Sequence, residues 1–211
     1  MLLHSVQAIK KIKESRFVAA LFVCVCLLGC TRQQQVNYKT DGWREGDLIL
    51  RSGYGVESRA VMAQGSSHYS HVGLLHYDSL KGEWQVVHAV PGEDEPEYIK
   101  AEPLSIFFSP ERARRGAWLR VDCSDSIAYK ATQYALAKVT QNVLFDNEYS
   151  LSDTTQLYCT ELVWRAYSAQ GVDVSGGRRH VAPVFFCKEG EGIFPSDIEQ
   201  SETTLFIKHF N

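Results

Sequence analysis

Cys159, His71 and His88 are the residues whose types and placement suit covalent catalysis. Cys159 opens the stretch Tyr158-Cys159-Thr160-Glu161-Leu162-Val163-Trp164-Arg165-Ala166-Tyr167, whose apolar spacing predicts an amphipathic helix that stops near Gly171. A helix N-terminus carries unpaired N–H groups and roughly half a positive charge, which favours thiolate over thiol and predicts a sulfur reactive near neutral pH. Such a nucleophile needs a base within hydrogen-bond reach, and the base needs an orienting group. His71 begins a strand directly after a Gly/Ser-rich loop, at a sheet end where its side chain can face a cleft. His71, Gly73 and Leu75 share one face of that strand, and the small Gly73 leaves room beside the imidazole. His88 follows 17 residues later, near the far end of the expected hairpin partner, so antiparallel pairing makes it a cross-strand neighbour of His71.

Two neighbours of the thiol have readings of their own. Tyr158 either shapes the cleft or oxyanion site with its ring or hydroxyl, or simply packs. Glu161 falls in the first turn of the helix, where an acid suits the dipole and can cap N–H groups, a structural role. The oxyanion donor expected here is the backbone N–H of Cys159 itself. His68, His76, His180 and His209 are the other histidines of the mature chain, and their positions fit a base less well.

The N-terminus sets the expected compartment. Lys10, Lys11, Lys13 and Arg16 form a basic region, Phe17 to Leu28 an apolar one, and the pattern is a secretory signal too short and one-sided for a membrane span. Leu27-Leu28-Gly29-Cys30 resembles a bacterial lipobox, which makes Cys30 the lipidated first residue of the mature protein. The expected organisation is therefore residues 1–29 as signal peptide, 30–41 as lipidated Cys and polar tether, and 42–211 as one domain. Thr31, rather than Asp, after the lipidated Cys favours the outer membrane over the inner, with the domain facing the periplasm.

A formal net charge of −3 with no basic stripe excludes nucleic acid as an expected partner. Of six cysteines, Cys123, Cys159 and Cys187 remain in the mature domain; an odd number leaves at least one free thiol in an oxidising compartment. Cys123 and Cys187 could pair, but Cys159 could also join either of them. No Cys/His cluster has metal-ligand spacing, and no cofactor is expected.

The elements that must position these residues follow from pattern. Strands are expected at Asp47–Arg51, Ser70–Tyr77, Glu83–Val90, Tyr98–Ala101, Gly116–Val121 and Thr203–Phe210, with helical stretches near 56–64, 104–108, 126–140 and 195–198. Ser124 or Asp125 caps the 126–140 helix, whose expected core contacts include Ile127, Tyr134, Ala135 and Leu136. Segregated strands and helices point to α+β rather than a doubly wound parallel sheet.

Gly46-Asp47-Leu48-Ile49, Tyr69-Ser70-His71-Val72-Gly73-Leu74, Val86-Val87-His88-Ala89 and Tyr158-Cys159-Thr160-Glu161-Leu162-Val163, in that order, resemble the circularly permuted NlpC-type papain-like cysteine hydrolases, in the YiiX/YaeF-like lipoprotein branch. Cys after His in the chain is the mark of the permutation. The resemblance implies a permuted papain-like α+β fold in which an antiparallel sheet packs against the nucleophile helix. It also implies Cys159 as nucleophile, His71 as general base and His88 as orienting residue. YiiX-like relatives often carry Glu at this third place, whereas the lecithin–retinol acyltransferase group carries His, as here. The implied activity is amide hydrolysis through a thioester acyl-enzyme, with peptides of the cell wall as first substrate and a lipid amide or ester, hydrolysed or transferred, as second. A non-catalytic binding lipoprotein of the same fold is the alternative from another class. The chain is silent on oligomeric state.

Overall fold

The computed structural model describes residues 35–39, 41–91, 97–181 and 190–211. The expected signal peptide, Cys30 and most of the tether lie outside the described residues, as does Cys187. Among the described residues no helix is long and apolar enough to cross a membrane.

A six-stranded sheet forms the centre. It is built from β1 (Leu48–Arg51), β2 (His71–Asp78), β3 (Glu83–His88), β4 (Lys100–Pro103), β5 (Gly116–Val121) and, after the two-residue strands β6 (Leu144–Phe145), β7 (Gln156–Leu157), β8 (His180–Val181) and β9 (Glu191–Gly192), the final β10 (Thr204–Phe210). The spatial order is β10-β5-β1-β2-β3-β4, and every neighbouring pair is antiparallel. The fourth strand begins two residues later than the sequence pattern indicates, because Tyr98 instead bridges to Leu144.

The central strands are apolar on both faces because both faces are covered. Leu48, Leu50, Val72, Leu74, Val87 and Leu119 join one core with α3 (Asp125–Thr140) and α4 (Cys159–Ser168). Ile49, Leu75, Val86 and Trp118 join a second core with Phe107, Phe108 and Phe210. The remaining helices are α1 (Val56–Gly65), α2 (Leu104–Phe107) and α5 (Pro195–Glu199). This is an α+β fold with segregated elements.

α3 starts at Ser124, whose hydroxyl accepts from the Ile127 N–H at 3.3 Å. Its fully buried face is Ala128, Ala131, Thr132 and Ala135, and the expected core contacts Ile127, Tyr134 and Leu136 are partly buried and packed against the same core. The small face lets the helix come close to the chain entering β1. Gly46 has φ +79°, and a Cβ there would sit 2.7 Å from the Ala128 carbonyl and 2.8 Å from the Tyr167 hydroxyl, which donates to the Gly46 carbonyl at 2.5 Å. Asp47, buried behind it, accepts from Arg120 at 2.7 and 2.8 Å. The Gly46-Asp47 motif thus clamps β1 under α3 and α4.

Candidate active site

Cys159 and His71 line one pocket from two elements, a helix start and a strand start. α4 begins at Cys159 with no side-chain N-cap, so its first N–H groups are left to the site. The backbone N–H groups of Val72, Thr160 and Cys159 itself hydrogen-bond the sulfur. Those donors favour thiolate, but burial outweighs them and raises the thiol to about 11. The expectation of a thiolate near neutral pH is therefore corrected: the helix start acts as expected, and desolvation of an almost fully enclosed sulfur is the larger effect. Among the described residues, Cys159 and Cys123 are both free thiols.

His71 is the first residue of β2, paired across from Arg51 of β1, and is buried. The β2–β3 register, Leu74 to Val87, continues to put Gly73 opposite His88, so His71 lies one diagonal step along the same face. A Cβ at Gly73 would stand 2.9 Å from the His88 Cβ and 2.8 Å from the Val87 carbonyl. The absent side chain is what lets the two rings meet. His71 Nε2 and His88 Nδ1 are 2.7 Å apart, with ring planes at 77°. Phe107 packs against both, at centroid distances of 5.7 and 5.2 Å.

Burial, with lesser contributions from Arg51 and His88, holds His71 well below the usual histidine range, so it is a neutral ring at pH 7. Burial also lowers His88, to about 4, against an opposing pull from Glu102. With Nε2 engaged by His88, His71 keeps Nδ1 as the ring nitrogen that can accept a thiol proton.

Three residues that sequence reasoning missed complete the cluster. Glu102 of β4 places Oε1 3.0 Å from His88 Nε2, off the axis of the ring N–H, and accepts from Arg112 at 3.0 and 3.2 Å. Burial would raise this carboxyl, but His88, Arg112 and Arg51 together lower it to about 2. Arg51, also buried, donates to the Phe107 carbonyl at 2.8 Å and lies 4.6 Å over that ring. Their signal was faint: an acid just before a proline and an arginine ending an apolar strand.

A pocket of about 340 Å³ opens above Cys159 and His71. Tyr54, Val90, Phe145, Tyr149 and Phe194 contribute apolar wall, and Arg51, Glu57, Glu111 and Arg112 contribute charged side chains of both signs. Tyr158 also lines it, but its hydroxyl accepts from the Ile193 N–H at 2.9 Å, while Thr160 donates to the Ile193 carbonyl at 2.6 Å. Both residues pin the 190–194 segment over the helix start. Glu161 faces inward, with Arg165 donating to Oε1 at 2.7 Å and the Tyr158 N–H favouring its ionised form; burial nevertheless raises it to about 8. No three His, Cys, Asp or Glu side chains converge as metal ligands among the described residues.

The arrangement supplies a nucleophile, a neutral base and backbone donors around one cavity, the parts required for acyl transfer. A family model described as a permuted papain-like amidase enzyme, YaeF/YiiX, C92 family, matches residues 43–205. Among solved structures, the chain is similar to metalloprotein YiiX from Escherichia coli O157:H7. That match has a TM-score of 0.63 and 20% identity, covering 78% of this chain and 96% of the other. No curated protein matches at a significant level.

Proposed function

This chain belongs to the permuted papain-like amidase family of YaeF/YiiX type, a family of cysteine hydrolases, and from that premise we propose that it is a lipid-anchored envelope amidase with Cys159 as nucleophile and His71 as base. His71 Nδ1 takes the thiol proton as sulfur attacks the substrate carbonyl, forming the S–C bond. The N–H groups at the start of α4 receive the oxyanion. Collapse of the tetrahedral intermediate breaks the C–N bond, and the His71 proton passes to the leaving amine. Water then attacks the thioester, with His71 again accepting a proton, and the acid and free thiol are released. His88 orients His71 in both halves.

The observation that carries this reading is the convergence of a capless helix start, a buried thiol and a neutral His71, backed by His88 from behind, on one pocket. A high thiol pKa beside a low histidine pKa makes the resting pair neutral, so proton transfer accompanies attack instead of preceding it.

Lipidation of Cys30 and export place the domain at the periplasmic side, with the outer membrane as the favoured anchor. Peptide bonds of the cell wall are the substrate in reach from there. A specific observation favours a second substrate class: one wall of the pocket, Val90, Phe145, Tyr149, Ile193 and Phe194, is apolar and suits the chain of an acyl amide or ester, while Arg51, Glu57, Glu111 and Arg112 elsewhere in the lining suit a charged stem peptide. The deciding experiment incubates the chain with muropeptides and with acyl-amide lipids, using Cys159→Ala as control. Cysteine-dependent cleavage of muropeptides supports the peptidase; cleavage of acyl lipids alone replaces it with the lipid amidase; no cysteine-dependent cleavage of either class overturns the enzyme reading.

A further inference from the structure

His71 can act as a base only if its Nδ1 lone pair is free, and nothing in the ring itself decides that. The decision comes from the other end of a chain of contacts that crosses three strands. His88 pairs with Lys100 in the β3–β4 register, so Glu102 stands one diagonal step along the same face. That is the relation His71 bears to His88 across β2 and β3. The polar contacts therefore run His71, His88, Glu102, Arg112.

The charged groups facing this chain are Arg51 from β1, Lys100 and Glu102 from β4, and Arg112 from the segment after α2; Phe107 closes it on the apolar side. An ionised carboxylate can only accept. His88 Nε2 is fully buried and makes no aligned hydrogen bond; Glu102 Oε1, 3.0 Å away and off the N–H axis, is the carboxylate oxygen paired with it. The proton of neutral His88 belongs on Nε2, which makes Nδ1 an acceptor. His71 Nε2, 2.7 Å from that acceptor, must then be the donor, and the lone pair of His71 is left on Nδ1. With the proton of His88 on Nδ1 instead, His71 would carry its own proton on Nδ1 and could take nothing from the thiol.

We propose that Glu102 is a positioning residue for the amidase reaction, the carboxylate that sets the tautomers of His88 and, through it, of His71. The role rests on the reading of His71 as base, but the tautomers can be measured without turnover. The experiment is long-range ¹H–¹⁵N correlation of histidine-labelled protein at pH 7, on wild type, Glu102→Gln and Glu102→Ala, with near-UV circular dichroism as the fold check. In wild type both rings are expected as Nε2–H tautomers. Glu102→Gln, which can turn its amide oxygen to His88, keeps that pattern, and Glu102→Ala loses it. Iodoacetamide inactivation of Cys159 at pH 8 then slows by on the order of tenfold or more in Glu102→Ala, with most of the rate kept in Glu102→Gln.

An Nδ1–H tautomer at His88 in wild type, or tautomers indifferent to Glu102→Ala in a folded protein, overturns the proposal while leaving cysteine-dependent amide cleavage intact. The expected tautomers in a chain that cleaves no amide would keep Glu102 as the group that sets them and remove the enzyme reading, and with it the catalytic purpose of that setting.

Discussion

The backbone N–H of Val72 donates to the sulfur of Cys159, which ties the first turn of α4 to the residue that follows His71. One strand end therefore positions both partners: its backbone holds the thiol while its side chain carries the base. Any shift of β2 moves them together, so the pair is preorganised by the sheet and not by a loop.

The resting thiol is expected to be protonated, because burial raises it to about 11 despite three N–H donors. Iodoacetamide labelling of Cys159, followed by intact mass with peptide mapping to separate Cys123, should still be accelerating above pH 9. Levelling near pH 7 would indicate a resting thiolate and would mean that the N–H donors outweigh burial.

Acid should destabilise the fold through the histidine pair. His88 titrates at about 4 when folded against 6.5 when unfolded, so between those values the unfolded chain binds the extra proton and stability falls as pH falls. That gap is worth about 3 kcal/mol. Glu102, lowered to about 2 from 4.5, continues the loss below pH 4.5. Guanidinium unfolding of wild type and His88→Gln at pH 7 and pH 5 checks this: the variant should lose distinctly less stability on acidification, and equal losses would place the cost elsewhere.

Gly73 tests whether the two rings need their close approach. An added methyl would meet Val86 Cγ1 at 2.4 Å, the Val87 carbonyl at 2.8 Å and His88 Cβ at 2.9 Å, and two of those three cannot swing away. Gly73→Ala should cost about 1–3 kcal/mol in overpacking. It should also lower kcat well beyond what the remaining folded fraction explains, measured by thermal melting beside turnover.

The placement of Cys159, His71 and His88 was legible because each sits at an element boundary that local pattern marks: a helix start, a strand start after a Gly/Ser loop, a strand end before Pro91. Glu102 was not, since it becomes a neighbour of His88 only through the β3–β4 register, across a connection whose path the sequence does not specify. The thiol pKa was misjudged for a related reason. The helix dipole is local and visible in the chain, whereas the burial that overrides it comes from remote segments, including Tyr149 and the 192–195 stretch that share the pocket wall. The core contacts of α3 at Ile127, Tyr134, Ala135 and Leu136 followed from spacing, whereas the burial of Ala128 did not, because it depends on the close approach of Gly46 from a distant segment.

Glu161 is expected to tolerate its amide. Burial raises its carboxyl to about 8, above the unfolded 4.5, so it carries a proton through neutral pH and its contribution to stability is lost as pH rises from 4.5 through 8. Glu161→Gln keeps an oxygen for Arg165 and should change stability at pH 6 by less than about 1 kcal/mol, while flattening the decline between pH 6 and 9 in urea titrations. A large loss at pH 6 would instead mean that the ion pair with Arg165 is the state that matters.

Tyr158→Phe separates a wall from an oxyanion donor. The hydroxyl accepts from the buried Ile193 N–H, and losing it leaves that donor unpaired, at a cost of about 1–3 kcal/mol. The ring stays in the pocket wall, so the expected outcome is a lower melting temperature and a raised KM, with kcat within a few-fold of wild type. Had the phenol also been the donor that stabilises the tetrahedral oxyanion, its removal would cost about 10²–10³ in kcat with little change in KM. The kcat-to-KM split of this single variant therefore decides whether the backbone N–H groups at the start of α4 serve that role without it.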